Sequence, residues 1–458
     1  MKISIGPGPQ GTDTTRMTEP ETLFSLPAAN ERVATERGAE PRVQRPNRAQ
    51  VELRPVDLEG LLPADHRARV VWEFVEGLDL TPLYARIKAV DGHAGRPAID
   101  PAVLTALWLY ATLEGVGSAR ALARLCEEHD AYRWICGGVS VNYHTLAEFR
   151  VGHPEVLEEV LTAGVAALLA EGVVSLTRVA HDGVRVRANA GAASFRREER
   201  LTQLLAEATA QVEALKQEVH DDPAATTRRQ ARARERAARE RQERVARALA
   251  ELPAVAARRR KAGVEGPARA STTDAQARVM KMADGGFRPA FNAQFTTATG
   301  SQVVVAVTVT NAGSDYGQLT PMVAQLQQQY GQPPRQVLAD GGYVALAEVR
   351  ELAGPAWGCE VYAPPPTPRG SRGIDEPERR DDAAVSAWRQ RMATPEAQAI
   401  YRERAATCEC VNALARNRGL QRLMVRGLAK ARAVLLWFAL AHNLVRAATL
   451  RRAVAQPA

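Results

Sequence analysis

The stretch Val173-Val-Ser-Leu-Thr-Arg-Val-Ala-His-Asp182-Gly-Val-Arg-Val-Arg-Ala188 marks a change in the character of the chain. Apolar residues recur at helical spacing before it, whereas β-branched residues are frequent within it, and apolar and charged residues alternate after Gly183. Such alternation is typical of a strand with one buried face. The stretch therefore predicts a β-strand that carries Asp182.

Downstream of this strand, short apolar runs between turn residues predict the rest of an α/β sheet. The expected elements are two strands, a helix and two further strands, at residues 291–297, 302–310, 316–330, 335–340 and 359–363. The strand at 335–340 delivers Asp340 at its C-terminal end, a common place for functional residues in open α/β sheets. A later helix that starts at Pro395 carries Glu409 about four turns from its beginning.

Upstream, residues 51–172 are expected to form an all-α N-terminal domain, because apolar residues recur there at helical spacing. Ser118 can cap one helix, and the stretch Asn142–Arg150 can begin another, a helix-break-helix arrangement that DNA-binding proteins often use. His144 and Arg150 are then candidates for base contacts. The alternative interpretation of both residues is a solvated helix face.

A polar insertion, residues 196–267, separates the first predicted strand from the others. Its first half has apolar residues at alternating four- and three-residue steps, the seam of a coiled coil: Leu201, Leu205, Ala208, Val212, Leu215 and Val219. Its second half, Arg228–Lys261, has a net charge of +9, against +8 for the whole chain. The insertion is therefore predicted to be a basic helical hairpin. Such a concentration of charge favours a polyanionic partner, although charge runs are also common on solvated helix faces.

The composition excludes collagen-like, fully disordered and small disulfide-framework proteins. With 458 residues, 45% hydrophobic and 24% charged, the chain is expected to be globular and to have more than one domain. Residues 1–50 are expected to be a disordered arm and residues 451–458 a short tail. The longest apolar run, Ala433–Ala441, is much shorter than the ~20 residues that cross a bilayer, and five scattered cysteines favour reduced thiols. We therefore expect a cytoplasmic, nucleoid-associated protein without a membrane segment.

The order of the predicted elements is that of an RNase H-like mixed sheet flanked by helices. In that arrangement Asp182 lies on the central strand, Asp340 at the end of its neighbour and Glu409 on a helix packed across them, so that the three carboxylates can converge. Carboxylates held close resist joint ionisation, whereas Mg²⁺, which prefers oxygen ligands, removes that penalty. Two such ions can activate a water or a 3′-hydroxyl and stabilise the leaving oxygen in phosphodiester cleavage.

Several motifs, taken in this order, resemble a DDE transposase of a bacterial insertion sequence. The helical region is similar to the N-terminal domain of that family at residues 95–101, 132–138 and 145–150. The remainder is similar to its catalytic domain at His181–Asn189, Phe291–Gln294, Leu338–Tyr343, Tyr401–Glu409, Arg426–Leu428 and Ala441–Asn443. The resemblance implies an RNase H-like catalytic domain at residues 173–195 and 268–450, interrupted by the hairpin and preceded by a DNA-binding domain.

The resemblance also implies roles for individual residues. Asp182, Asp340 and Glu409 match the catalytic and metal-binding triad, which takes Mg²⁺ or Mn²⁺, with two ions expected. Three further residues occupy the places of the family's tyrosine, arginine and basic residue around the glutamate, and are candidates for DNA binding: Tyr401, Arg404 and Arg416.

Helix geometry favours a different arginine. In related transposases the tyrosine and arginine commonly lie one residue nearer the glutamate, and the last basic residue is commonly lysine. At ~100° per residue, Arg402 and Arg416 fall within about 20° of the face of Glu409, whereas Arg404 points well away. We therefore predict that Arg402 and Arg416 contact DNA phosphates, ahead of Arg404.

A second Asp-Gly-Gly sequence competes with the one at Asp340. Ala283-Asp284-Gly-Gly-Phe287 nearly repeats Ala339-Asp340-Gly-Gly-Tyr343. The first copy follows a linker and precedes the predicted β-hairpin, where Asp-Gly-Gly is well suited to a turn. Asp284 is therefore expected to be a turn residue and not a metal ligand.

The resemblance implies a transposase that binds the terminal inverted repeats of its own element, cuts DNA in a metal-dependent reaction and transfers the 3′-ends to target DNA. Its partners are then double-stranded DNA and further copies of the chain, since two DNA ends must be held together. Two alternatives stay open. One is a catalytically inactive DNA-binding derivative, and the other is a metal-dependent nuclease without strand transfer.

Overall fold

A curled mixed β-sheet with helices packed against it lies at the centre of the protein, in a computed structural model of the chain. The structure describes residues 46, 48–49, 51, 57–90, 92, 97–221, 227–366, 378 and 381–455. The expected disordered arm lies almost entirely outside the described residues. The α/β class predicted from the sequence is confirmed.

Helices occupy the N-terminal part, the insertion and the C-terminal part of the described chain. Those before the sheet are α1 to α7, at Arg67–Glu76, Thr81–Tyr84, Pro101–Leu113, Ala119–Glu128, Asp130–Cys136, Tyr143–Gly152 and Pro154–Ala170. Those after its first strand are α8 to α15, at Glu198–Asp221, Arg228–Lys261, Leu319–Tyr330, Leu346–Ala353, Ala383–Ala393, Pro395–Arg404, Cys410–Asn417 and Leu428–Ala455. Helix α15 reaches Ala455, so most of the predicted tail is helical.

The strands predicted from the sequence are present, and three short strands are added to them. They are β1 to β8, at Arg178–Arg187, Phe195–Arg196, Ala270–Ser271, Arg278–Lys281, Phe287–Ala298, Val304–Thr310, Gln336–Leu338 and Glu360–Tyr362. The three added strands, β2, β3 and β4, were not predicted, because runs of two to four residues are too short to show a period of two.

The sheet has the order β4-β5-β1-β7-β8, with β6 also paired to β5. Strand β5 runs antiparallel to β1, β4 and β6, whereas β7 runs parallel to both β1 and β8. Strand β7 pairs with β1 only along Arg178–Ala180. From Asp182 onward that edge of β1 therefore lies beyond the reach of β7.

Helix α15 joins the N-terminal helices to the sheet in one continuous hydrophobic core. The indole of Trp437 donates a hydrogen bond to the carbonyl of Arg150 at 2.9 Å, and the amide of Asn443 exchanges two hydrogen bonds with the backbone of Val304 in β6. The change near residue 172 is thus one of secondary structure, and the core continues across it. By length and composition α15 could cross a membrane, but 67% of its most apolar window is buried within the protein, as in a core helix.

The insertion contains two long helices, α8 and α9, that form a hairpin. Strands β2 and β3 pair at its base, and α8 and α9 pack together through a seam that buries Leu201, Ala208 and Val212 of α8. The side chain of Val219, the last predicted seam position, lies outside the described residues. The predicted spacing therefore located the packed face of α8, because steps of three and four residues keep apolar residues on one side of a helix.

Burial of His442 in α15 makes the stability of the fold depend on pH. Burial lowers the pKa of His442 from its ordinary 6.5 to about 4, although its ring contacts the carbonyl of Gln302 at 2.8 Å. Between those values the unfolded chain takes up a proton that the folded protein does not, so stability present above pH 6.5 is lost as the pH falls towards 4.

We predict that this residue accounts for roughly 3 kcal/mol of the stability lost between pH 7 and pH 4. Urea unfolding of the parent and of His442→Gln at the two pH values measures this contribution, because the glutamine amide can still donate to Gln302 and does not titrate. The parent should lose more stability than the variant. Equal losses in the two proteins would contradict the prediction.

Candidate active site

Asp182 lies in the middle of β1, with its side chain only 13% exposed. One carboxylate oxygen accepts the backbone N–H of Gly183 at 3.0 Å, and the other accepts the amide of Asn412 at 2.8 Å. Burial raises the pKa of Asp182, and the positive charge of Arg404 opposes that rise. The carboxylate is thus held in a fixed orientation and depends on a nearby cation for its charge.

Asp340 lies two residues beyond the end of β7 and begins the short helical turn Gly341–Tyr343. Its Oδ1 accepts the backbone N–H of Gly342 at 2.8 Å. Because β7 is parallel to β1 and hydrogen-bonded to it, Asp340 lies beside the part of β1 that carries Asp182. One oxygen of Asp340 therefore holds the turn, while the other, Oδ2, lies 3.8 Å from a guanidinium nitrogen of Arg404.

Glu409 closes a π-helical turn, Ala405–Glu409, that joins α13 to α14. Its side chain is 65% exposed, in contrast to the partly buried Asp182. The turn packs against β1 and β5. It therefore presents Glu409 at the solvent side of the same group of acids.

Arg404 contacts all three carboxylates. One terminal nitrogen of its guanidinium, Nη2, lies 3.2 Å from Oδ1 of Asp182 and 3.8 Å from Oδ2 of Asp340. The other, Nη1, lies 3.7 Å from Oε1 of Glu409. Burial lowers the pKa of Arg404, but the surrounding acids, Asp182 first among them, outweigh burial, so that the pKa is raised overall. Carboxylates from three separate elements thus converge on one guanidinium.

The sequence-based prediction that Arg404 points away from Glu409 is wrong. It assumed a regular α-helix, whereas hydrogen bonds in a π-helix join residues five apart, so residues at that spacing lie on one side. Arg404 and Glu409 are five apart, and the π turn absorbs the one residue by which this chain departs from the related motif. The side chain of Gln302 donates a hydrogen bond to the carbonyl of Ala406 within this turn at 2.8 Å.

The two arginines favoured by helix geometry lie elsewhere. Arg402 is exposed on α13, and its Nε donates to the carbonyl of Gln398 in the preceding turn at 3.3 Å. Arg416 is exposed on α14 and lines a groove on the surface. The expected contacts of both with DNA phosphates stay predictions.

The remaining sequence candidates differ in their surroundings. Tyr401 is half-buried near the acids, and burial raises its pKa. His144 is exposed on α6, with its ring against that of Tyr143. Arg150, however, is buried: one Nη donates to the carbonyl of Gly117 at 2.6 Å, and its guanidinium lies 4.5 Å from the ring centre of Trp108. The prediction that Arg150 contacts bases is therefore wrong, because its side chain is buried and bonded within the protein.

Asp284 lies in the turn between β4 and β5, as the sequence analysis expected. Its carboxylate accepts the backbone N–H of Gly286 at 3.0 Å and pairs with Arg288 at 2.7 Å. The two Asp-Gly-Gly sequences thus have different structural settings. Only the copy at Asp340 follows a strand adjacent to β1 and contacts Arg404.

Asn412 is a candidate site residue that the sequence analysis missed. It is buried in α14, and its amide fixes the second oxygen of Asp182. The available signal was its position three residues after Glu409, because residues three apart share a helix face. An asparagine in the interior of a helix is otherwise unremarkable, so the spacing becomes informative only once Glu409 is placed beside Asp182.

The donor set is chemically suited to a hard divalent cation. Asp182, Asp340 and Glu409 supply carboxylate oxygens, the ligands that Mg²⁺ and Mn²⁺ prefer. Within the part of the chain that the structure describes, no three acidic, histidine or cysteine side chains are close enough to hold a metal ion as they stand. The positive charge of Arg404 balances part of the negative charge of the three acids. A divalent ion can share that task or replace the guanidinium, so the three residues fit such an ion.

We predict that the π turn tolerates the loss of one residue. Deletion of Ala405, which is exposed, should convert the turn into regular α-helix and preserve the register of α13 and α14. Deletion of the exposed Ala413 in the regular helix α14 is the matched control, because it rotates the following residues by ~100°. In thermal unfolding the first variant should stay close to the parent and the second should melt clearly lower. Equal destabilisation would show that the π turn is not an insertion.

Two family models match the chain. A transposase domain (DUF772) matches residues 56–151, which span α1 to α6, and a transposase DDE domain matches residues 374–448, which include Arg404 and Glu409. Among curated proteins and among solved structures, none matches the chain significantly. These two matches, in this order along one chain, support a DDE transposase of an insertion sequence.

Proposed function

We propose that this transposase binds the terminal inverted repeats of its own insertion sequence and catalyses metal-dependent DNA strand cleavage and transfer. The observation that carries the proposal is the contact of one guanidinium, that of Arg404, with Asp182, Asp340 and Glu409. These acids come from a strand, from the end of its parallel neighbour and from a helical segment. A chain that served only as a scaffold would have no need to gather three carboxylates at one partly exposed point.

An RNase H-like catalytic domain is part of this proposal. Leaving out the short β4, the main strands in chain order are three antiparallel ones, β1, β5 and β6, followed by two that are parallel to β1, namely β7 and β8. The first of them lies in the centre and carries Asp182. This order supports the division into a catalytic domain at 173–195 and 268–450, a hairpin insertion at 196–267 and an N-terminal DNA-binding domain at 51–172.

In the proposed reaction Asp182, Asp340 and Glu409 hold one or two Mg²⁺ or Mn²⁺ ions. When bound, such ions activate a water or 3′-hydroxyl and stabilise the leaving oxygen. The protein orients the ligands through Asn412, which holds one oxygen of Asp182, and through the backbone of Gly342, which holds one oxygen of Asp340. Arg404 balances part of the negative charge of the three acids, so they can stay together before any metal is present.

DNA binding is proposed for exposed cationic and polar groups outside the cluster of acids. His144, Arg402 and Arg416 are exposed and are the candidates that the structure leaves available. The hairpin is a weaker candidate than its net charge suggests, since several arginines of α9 pair with glutamates of α8 or α9: Arg234 with Glu218, Arg239 with Glu235, Arg241 with Glu207, Arg244 with Glu240 and Arg247 with Glu243. Pairing of protomers through the hairpin is proposed because two DNA ends must be held together.

The proposed reaction predicts that each acid is required for cleavage. A labelled duplex that carries the DNA flanking the gene would be incubated with Mg²⁺ or Mn²⁺ and with the parent, Asp182→Asn, Asp340→Asn or Glu409→Gln. Cleavage should be lost in all three variants, and in the parent when EDTA removes the metal, while DNA binding persists.

Asp382→Asn is the matched control, because it makes the same change at the exposed start of α12, outside the three acids, and should leave cleavage intact. Cleavage by the triad variants at the rate of the parent would refute the proposed site. Cleavage without joined products would favour a nuclease, and binding without cleavage by the parent would favour an inactive derivative.

A separate prediction concerns Asn412. Asn412→Leu should lower cleavage at limiting Mg²⁺ by roughly 10- to 100-fold, because residues that orient metal ligands commonly have effects of this size. Saturating Mg²⁺ should restore part of the activity. Titration of cleavage against Mg²⁺ measures the shift, with Asn417→Leu, an exposed position at the end of α14, as the control. Identical metal dependence in the parent and Asn412→Leu would contradict the assigned role.

A further inference from the structure

A groove of about 610 Å³ lies across the C-terminal half of β1, beginning at Gly183, the residue next to Asp182. One side is formed by the end of α14 and the segment that follows it, and the other by the turn between β4 and β5. Its basic lining residues are Arg185, Arg187, Lys281, Arg288 and Arg416, and its acidic lining residue is Asp284. The groove therefore has a strong positive charge beside the proposed active site.

The five basic groups divide into two classes. Arg185 pairs with Asp315 at 3.1 Å, and Arg288 pairs with Asp284 at 2.7 Å. The other three, Arg187, Lys281 and Arg416, are exposed, and within the described ranges no carboxylate lies at ion-pair distance from them. Cations clustered in a groove without acidic partners raise the local concentration of anions, which paired arginines do much less.

The three unpaired cations are held on rigid elements. The backbone of Arg187 donates to the carbonyl of Gln421 at 3.1 Å and accepts from the N–H of Leu423 at 2.8 Å, which fixes it between β5 and the segment after α14. Lys281 ends β4 and pairs with Phe287 across a tight turn. Arg416 is on α14, the helix that also carries Asn412. Side chains supported in this way are suited to a ligand of defined shape.

The floor of the groove is closely packed from below at Gly183. A Cβ atom there would lie 2.5 Å from both Oδ1 of Asp315 and Nε2 of Gln294, so no side chain larger than hydrogen fits. The buried amides of Asn292 and Gln294 donate to Asp315 at 2.6 and 2.7 Å and fill the space beneath. The backbone of β1 next to Asp182 therefore rests on buried side chains that fix its position.

We propose that this groove binds the sugar-phosphate backbone of the DNA strand adjacent to the bond that is cut, with Arg187 and Lys281 as phosphate contacts beside Arg416. The inference rests on the proposed function, and it adds two binding residues and the path of the strand. Long cationic side chains spaced along an open groove match a chain of phosphates, since each phosphate needs one cation and no base contact. The volume is in the range of small-ligand sites, which suits a short stretch of one strand better than a whole duplex.

The test measures DNA affinity without metal, so cleavage does not interfere. Binding of the labelled end duplex would be followed by fluorescence anisotropy from 50 to 200 mM KCl for the parent and for the double variant Arg187→Gln/Lys281→Gln. Each lost phosphate contact should reduce the slope of log K against log[salt] by about 0.9, so the double variant should lose roughly 2 from the slope. Arg335→Gln/Arg452→Gln removes the same charge from exposed positions outside the groove and should change the slope little.

A second arm locates the contact on the DNA. Uncharged methylphosphonate groups placed at the phosphates next to the cut should weaken binding by the parent, but should have little further effect on the groove variant. Free inorganic phosphate at millimolar concentration should compete weakly, which separates a DNA backbone from an isolated phosphate as the ligand. If the double variant is unstable, the salt dependence of binding is measured for Arg187→Gln and Lys281→Gln separately.

An unchanged slope in the groove variants, or a change equal to that of the control, would overturn the inference. So would equal sensitivity of the parent and the groove variant to methylphosphonates. Metal-dependent cleavage by the parent reports on the proposed function independently. If the parent cuts DNA but the groove variants bind as the parent does, the groove inference fails and the proposed function stands. If the groove variants show the effect but the parent never cuts, the proposed function fails instead.

Discussion

The contact between Arg404 and three carboxylates is the interaction on which the account of this protein depends. Carboxylates that approach one another in a partly buried place repel, and burial alone already raises the pKa of Asp182. A guanidinium, which stays charged at any physiological pH, relieves that repulsion and can contact several oxygens through its fork of donors. The three acids meet this one side chain for two reasons. Strand β7 pairs in parallel with β1, and a π turn precedes α14.

Much of the fold was predictable from the sequence because it follows from local patterns. The alternation around Asp182, the strand before Asp340 and the seam of α8 each correspond to an observed element. The exact neighbours of side chains were harder to predict. The prediction for Arg404 was wrong because one added residue forms a π turn, which the periodicity of the sequence does not reveal. The prediction for Arg150 was wrong because its contacts are with Gly117 and Trp108, which are distant from it in sequence.

The distribution of charge bears on function more than its sum does. Helix α9 has a net charge of +9, against +8 for the whole chain, yet several of its arginines pair with glutamates of α8 and α9. The groove beside β1 has fewer cations, but three of them are exposed and unpaired, in a groove that begins at the residue after Asp182. Exposed pairs contribute little to either stability or binding, whereas unpaired cations in a groove attract an anionic chain.

A crystal structure of the protein with Mn²⁺, recorded at a wavelength where Mn²⁺ scatters anomalously, tests the central claim most directly. The account predicts an anomalous peak in contact with carboxylate oxygens of Asp182 and Asp340, with Glu409 beside it and Arg404 shifted or sharing the same acids. Carboxylates that face separate surfaces, or Mn²⁺ bound only at other places while these acids stay paired with Arg404, would contradict it.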